Sequence, residues 1–96
     1  MQRDEILSLL SAHLPELGRF QVRSLAVFGS VARGEAGPNS DVDILVEFED
    51  PPTFAIFMGL KLYLEDLLGV RVDLATPRSL KARARATVER DAVYVT

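Results

Sequence analysis

The sequence predicts an α/β chain, folded as one domain over residues 1–96, in which helices alternate with short apolar strands. Three observations carry that reading. Apolar residues recur at helical spacing through Arg3–Leu14 and Thr53–Leu68. Val22–Phe28, Asp41–Glu49 and Val70–Thr76 are short runs rich in Val, Ile, Leu and Phe, bounded by Gly and Pro. A composition of 48% hydrophobic and 26% charged residues suits a globular domain of this length with a single core. There is no internal repeat, low-complexity tract or linker, so no second domain is expected.

The first helix spans Arg3–Leu14, with Asp4 as its expected N-cap and Ile6, Leu9, Leu10, His13 and Leu14 on its apolar spacing. Pro15 ends that helix or opens a further turn through Leu17. Val22–Phe28 is the first strand. "GSVARGEAG" leaves it with a turn and one or two helical turns, and "GPNS" is a loop on composition. Asp41–Glu49 is the second strand, broken by Asp50-Pro51-Pro52. Thr53–Leu68 is the longest helix, stopped by Gly69. It is apolar almost all round, with Lys61 and Glu65 as a narrow polar stripe. One face can pack on the sheet; the other either stays exposed as an interface or is buried against the terminal helices. Val70–Thr76 is the third strand, ended by Pro77. Ser79 is the expected cap of a helix through Arg90, and Ala92–Thr96 closes the chain as a short edge strand.

Several function classes are excluded at once. Without cysteine there is no disulfide framework and no thiolate metal site. His13 is the one histidine and reads as a half-exposed helix residue rather than a ligand. No apolar run reaches the length of a membrane span, and the N-terminus lacks a signal-peptide layout, so a soluble, cytoplasmic protein is expected. The net charge of −3 gives no general attraction to nucleic acid, and no direct nucleic-acid partner is expected. Basic residues crowd the C-terminal segment from Arg78 to Arg90, where they read as a helix surface or docking face outside the chemistry. The preference for arginine over lysine and the single Asn hint at a high-temperature or GC-rich source.

Asp41 and Asp43 open a strand that the core needs. Strand side chains alternate, so both point to one face, roughly 6.5–7 Å apart at Cα. Val42, Ile44, Val46 and Phe48 face the core instead, and Leu45 marks where the acidic face becomes covered. Two carboxylates on one face repel unless a cation lies between them. Oxygen ligands on a rigid strand suit Mg²⁺ or Mn²⁺. Asp73 supplies a third carboxylate if the helix Thr53–Leu68 returns the third strand parallel to the second. Gly29 and Ser30 end the first strand. They form an anion cradle there, since glycine lets a phosphate approach the backbone and Ser30 adds a hydroxyl donor. An antiparallel first and second strand would set that cradle beside the carboxylates.

These residues carry a resemblance. Gly29-Ser30, ten residues, then Asp41-Val42-Asp43 is similar to the G-S-x10-D-x-D pattern of the DNA polymerase β-like nucleotidyltransferases. Asp73 falls where that family places its third carboxylate. "GSVARGEAGPNSDVDILVEF" looks like the minimal nucleotidyltransferases, small antitoxins found beside HEPN-domain toxins. The resemblance runs from about Leu25 to Asp73 and implies a small mixed sheet flanked by helices. It implies that two Mg²⁺ ions, or Mn²⁺, are held by Asp41, Asp43 and Asp73, and that these three carboxylates are catalytic. It implies that Gly29 and Ser30 grip the terminal phosphates of ATP or another NTP. Arg33 belongs to the same pattern and either meets the triphosphate or forms a surface ion pair with Glu35. Competing motifs fit less well: a Walker A lysine is missing, a haloacid dehalogenase-type nucleophile would end its strand, and an EF-hand needs more oxygens.

The function implied is transfer of AMP from ATP to a hydroxyl, with tyrosine of a cognate HEPN-type toxin as the expected acceptor. A non-catalytic antitoxin that neutralises by contact is the alternative, as is a subunit of an aminoglycoside-type nucleotidyltransferase. A homo-oligomer is compatible with any of these. Larger relatives carry a helical domain that contacts the base or acceptor; none is expected here, which leaves the shape of the acceptor site to a partner.

Overall fold

The computed structural model describes residues 2–35, 37 and 40–96. Four strands form one sheet in the order β3-β2-β1-β4. They are β1 (Val22–Phe28), β2 (Val42–Phe48), β3 (Val72–Ala75) and β4 (Val93–Tyr94). β1 pairs antiparallel with both β2 and β4, and β2 pairs parallel with β3, so the sheet is mixed. The helices are α1 (Arg3–Ala12), α2 (Leu14–Leu17), α3 (Gly29–Ala32), α4 (Phe54–Leu68) and α5 (Ala82–Asp91). The strand expected at Val22–Phe28 and the closing edge strand are both present. Of the expected "GPNS" loop, Pro38 and Asn39 lie outside the described residues.

Alternation along the strands divides the core. Leu25, Val27, Val42, Ile44, Val46 and Val72 face α1 and α4, where they bury Ile6, Leu10, Leu60, Leu64 and Leu68. Ala26, Phe28 and Leu45 point the other way and are covered by Val88 of α5 and by Leu80 and Ala92 at its two ends. A parallel pair cannot be closed by a tight turn, so β2 reaches β3 through α4. Thr53 caps α4 through its Oγ1, which accepts the Ile56 N–H at 3.1 Å. Gly69 ends it in the left-handed conformation at φ 70°, which glycine adopts without a Cβ clash. Glu65 then ties helix to strand: it accepts from Lys61 Nζ at 3.0 Å and from the Val72 N–H at 3.0 Å. The backbone hydrogen bond from Val72, with Lys61 second, holds the Glu65 carboxyl below its ordinary pKa.

Several boundaries differ from the sequence reading, each for a local reason. Gln2 rather than Asp4 is the N-cap of α1; its N–H is met by Glu5 Oε1 at 3.3 Å, while Asp4 sits exposed in the first turn. α1 stops at Ala12, and Leu14-Pro15 opens the separate turn α2. Ser79 caps no helix. Its hydroxyl is spent on Thr76, accepting the Thr76 N–H at 2.9 Å and donating to the Thr76 carbonyl at 3.1 Å. That turn ends β3 at Ala75 and delays α5 to Ala82, with Lys81 as N-cap. The apolar face of α4 is partly unpartnered, with Phe54 80% and Leu62 59% exposed. No described helix is long and apolar enough to cross a membrane.

Burial on α4 sets its energetics. Leu64 is fully buried whereas Leu62, two residues away, faces water. Leu64→Ala is expected to cost about 2–5 kcal/mol, and Leu62→Ala no more than about 0.5 kcal/mol. Urea denaturation of both variants checks this; equal losses would mean that α4 packs through a different face.

Candidate active site

The site begins with a register. β2 and β3 pair so that Asp43 lies beside Asp73, and β1 and β2 pair so that Phe28 lies beside Asp43. Asp73, Asp43 and Phe28 thus form one row across three strands. Hydrophobic alternation enforces it: Val42, Ile44, Val72 and Leu74 are buried, so Asp43 and Asp73 must occupy the opposite face. A slip of one residue would drive the carboxylates into the core and the valines into water.

Gly29 ends β1 and starts α3 against that row. Its φ of +75° is left-handed, and a Cβ there would collide with Asp43 Oδ2 and lie 3.1 Å from its Cγ. Glycine is required on both counts, since only the absence of a side chain lets the Asp43 carboxylate rest on the backbone. Ser30 follows in α3, partly exposed, with its carbonyl accepting the Glu35 N–H at 2.9 Å.

Asp43 is half-buried, and its pKa is raised to about 6, with that desolvation as the largest cause. The negative charges of Asp73 and Asp41 add to the rise, and the Asp73 carboxyl is close enough to share a proton with it. Asp41 lies one residue before β2, exposed, with Oδ1 4.0 Å from Arg71 Nε. The structure therefore brings Asp43 and Asp73 together and leaves Asp41 at the mouth, turned towards Arg71. Among the described residues, no three acidic or histidine side chains are already gathered as a closed metal cluster. The donor chemistry nevertheless fits a hard divalent cation: oxygens only, from carboxylates whose mutual repulsion a cation would relieve.

Arg33 takes the ion-pair alternative. Its Nη1 donates to Asp91 Oδ2 at 2.8 Å and its Nε to Glu35 Oε2 at 3.3 Å, which pins α3 to the end of α5. Asp91, bonded chiefly to Arg90 and then to Arg33, is held below the usual carboxylate pKa.

Asp43, Asp73 and Gly29 open into a cleft of about 530 Å³ floored by Phe28 and Ala75. Ser30 and Asp41 are not among its lining residues. The opposite wall is α5 with the residues that lead into it, through Leu80, Lys81, Arg83 and Thr87. The basic C-terminal segment, read from sequence as lying outside the chemistry, thus places two of its cations, Lys81 and Arg83, on the same cleft as the carboxylates. A signal was present in the sequence: Leu80, Ala84, Thr87 and Val88 recur at helical spacing, so that stripe faces the sheet and carries its neighbours to the cleft.

A family model described as nucleotidyltransferase domain matches residues 10–95, and the chain belongs to that family. Its fold is that of the minimal nucleotidyltransferases: a solved minimal nucleotidyltransferase superposes with a TM-score of 0.81 at 44% identity, over 97% of this chain and 95% of that one. The protein adenylyltransferase MntA of Thermococcus cleftensis is 55% identical over 93 residues, covering 96% of this chain and 94% of its own. A toxin–antitoxin crystallised with AMP-PNP superposes with a TM-score of 0.70 at 25% identity, over all of this chain and 73% of that one.

The raised pKa of Asp43 has a consequence for stability. An acid that holds its proton more tightly when folded makes the fold lose stability as pH rises from about 3.8 to about 6, and leaves it constant above. Asp43→Asn removes that cost. The metal-free variant is expected to exceed wild type by about 1 kcal/mol at pH 7–8, once screening on the open side is allowed for. That is a rise in Tm of about 4–8 °C, and it should vanish as the pH approaches that of an unperturbed aspartate. Thermal melts across this range check it; a variant less stable than wild type at pH 8 would contradict the placement of Asp43.

Proposed function

We propose that this chain transfers AMP from ATP to a hydroxyl on a protein partner, a tyrosine of a cognate HEPN-type toxin, and so acts as an antitoxin. The observation that carries the proposal is the packing of Gly29, Asp43 and Asp73 in one open cleft. A bare backbone for phosphate and paired carboxylates for divalent cations are what phosphoryl transfer by positioning and electrostatics needs. The likeness to a protein adenylyltransferase over nearly the full length of both chains supports AMP as the transferred group. The neighbour solved as a toxin–antitoxin with AMP-PNP supports a toxin as the acceptor's source.

In this reading Asp41, Asp43 and Asp73 would hold two Mg²⁺ ions, or Mn²⁺, which would supply charge neutralisation to the reacting phosphates. The chain's own residues do the rest. Gly29 and Ser30 hold the far end of the triphosphate, Gly29 by close approach of the backbone and Ser30 by donating its hydroxyl. Asp73, at the exposed side of the row, receives the proton of the acceptor hydroxyl. The hydroxyl oxygen forms a bond to the α-phosphorus, the bond from that phosphorus to the bridging oxygen breaks, and pyrophosphate leaves. Arg33, tied to Asp91 and Glu35, holds α3 and hence Gly29 in place rather than gripping phosphate.

Intact-mass spectrometry of the chain incubated with its toxin tests the proposal. AMP-sized increments on the toxin are expected, dependent on ATP and Mg²⁺ and lost in Asp41→Asn/Asp43→Asn. If the toxin gains no mass yet is silenced equally by the double variant, the chain is a binding antitoxin and the transfer reading is wrong.

A further inference from the structure

The cleft that exposes Asp43 and Asp73 has a second wall of opposite charge. Lys81 is the N-cap of α5, Arg83 is its second residue, and both line the cleft. Neither forms an ion pair among the described residues. The other cations near this site are engaged: Arg33 with Asp91 and Glu35, Arg90 with Asp91, and Arg71 beside Asp41. Lys81 and Arg83 therefore carry the uncommitted positive charge that faces the carboxylates. The positive end of the α5 dipole adds to it.

Such a wall suits a polyanion. A hydroxyl acceptor brings no charge that two cations would need to meet, whereas a triphosphate carries several and has many acceptor oxygens. Gly29 and Asp43 set one edge of the cleft and α5 the other, so a phosphate chain lying along it touches both. Lysine offers a point charge and arginine a planar fork that can take two oxygens at once.

We infer that Lys81 and Arg83 grip the nucleotide's polyphosphate from the α5 side, opposite Gly29, in the role that Arg33 cannot take while bound to Asp91. The inference rests on the nucleotidyltransfer reading for the identity of the nucleotide, but polyphosphate binding can be tested without it.

Calorimetry with Mg²⁺ present tests it, using ATP and inorganic tripolyphosphate as separate probes. Wild type, Lys81→Gln/Arg83→Gln and Arg85→Gln are compared; Arg85 is exposed on α5 and does not line the cleft. Wild type and Arg85→Gln should bind both probes, and the double variant should lose about tenfold or more in affinity for each. Wild type that binds tripolyphosphate but not ATP, with the double variant losing it, would contradict the nucleotidyltransfer reading and still support the cation pair. ATP bound equally by the double variant and wild type would overturn the inference, whether or not transfer to a partner falls. Binding of neither probe by wild type would overturn both.

Discussion

Asp43 and Asp73 stand side by side on parallel strands, and most of the structure serves to keep them there. Two carboxylates at this separation repel, and Asp43 also bears a desolvation cost. Left to themselves they would splay apart. They are held by a register whose other face is fully apolar: moving them means exposing Val42, Ile44 and Val72. The burial of three branched side chains, each worth about 1.5–3 kcal/mol, outweighs the repulsion of a partly solvated acid pair.

The surrounding elements fix that register in three dimensions. α4 supplies the crossover that a parallel pair requires, and Glu65 clamps it to the first residue of β3. Gly29 lets the turn after β1 press directly on Asp43. Arg33 and Asp91 couple that turn to the end of α5, while Leu80, Val88 and Ala92 seat α5 on the sheet. The cleft is what remains between the acidic row and the basic N-terminal half of α5. A site so divided by charge offers carboxylates to a cation and Lys81 and Arg83 to a polyanion, as the proposed metal-bound nucleotide requires.

The pattern of elements was legible because hydrophobic periodicity follows directly from burial. β1 was read to the residue, and the acidic face of β2 emerged from alternation alone. Asp43 and Asp73 could be paired from sequence because the β2–α4–β3 connection carries a helix long enough to return β3 parallel to β2. Ser79 misled for a physical reason: a serine before a helical run is an equally good partner for a tight turn, and Thr76 offered one. Lys81 and Arg83 were missed because charge along a helix says nothing of which way the helix faces until its sheet-side stripe is traced. Arg33 could not be decided from sequence, since its partner Asp91 lies 58 positions away. Asp41 was expected at the strand's first position; it lies just outside, where no ladder hydrogen bond fixes its direction.

The electrostatic state of Asp43 is the most direct point of contact with experiment. Carbon-detected NMR of its side-chain carboxyl gives the titration midpoint in the metal-free protein, in Asp73→Asn, and with Mg²⁺ and ATP present. The predicted midpoint is about 6 in the wild type. It should fall in Asp73→Asn, while staying above the ordinary aspartate range because burial persists, and fall further with Mg²⁺ and ATP. A midpoint at the ordinary value, unmoved by Asp73→Asn and by Mg²⁺ with ATP, would contradict the paired-carboxylate site.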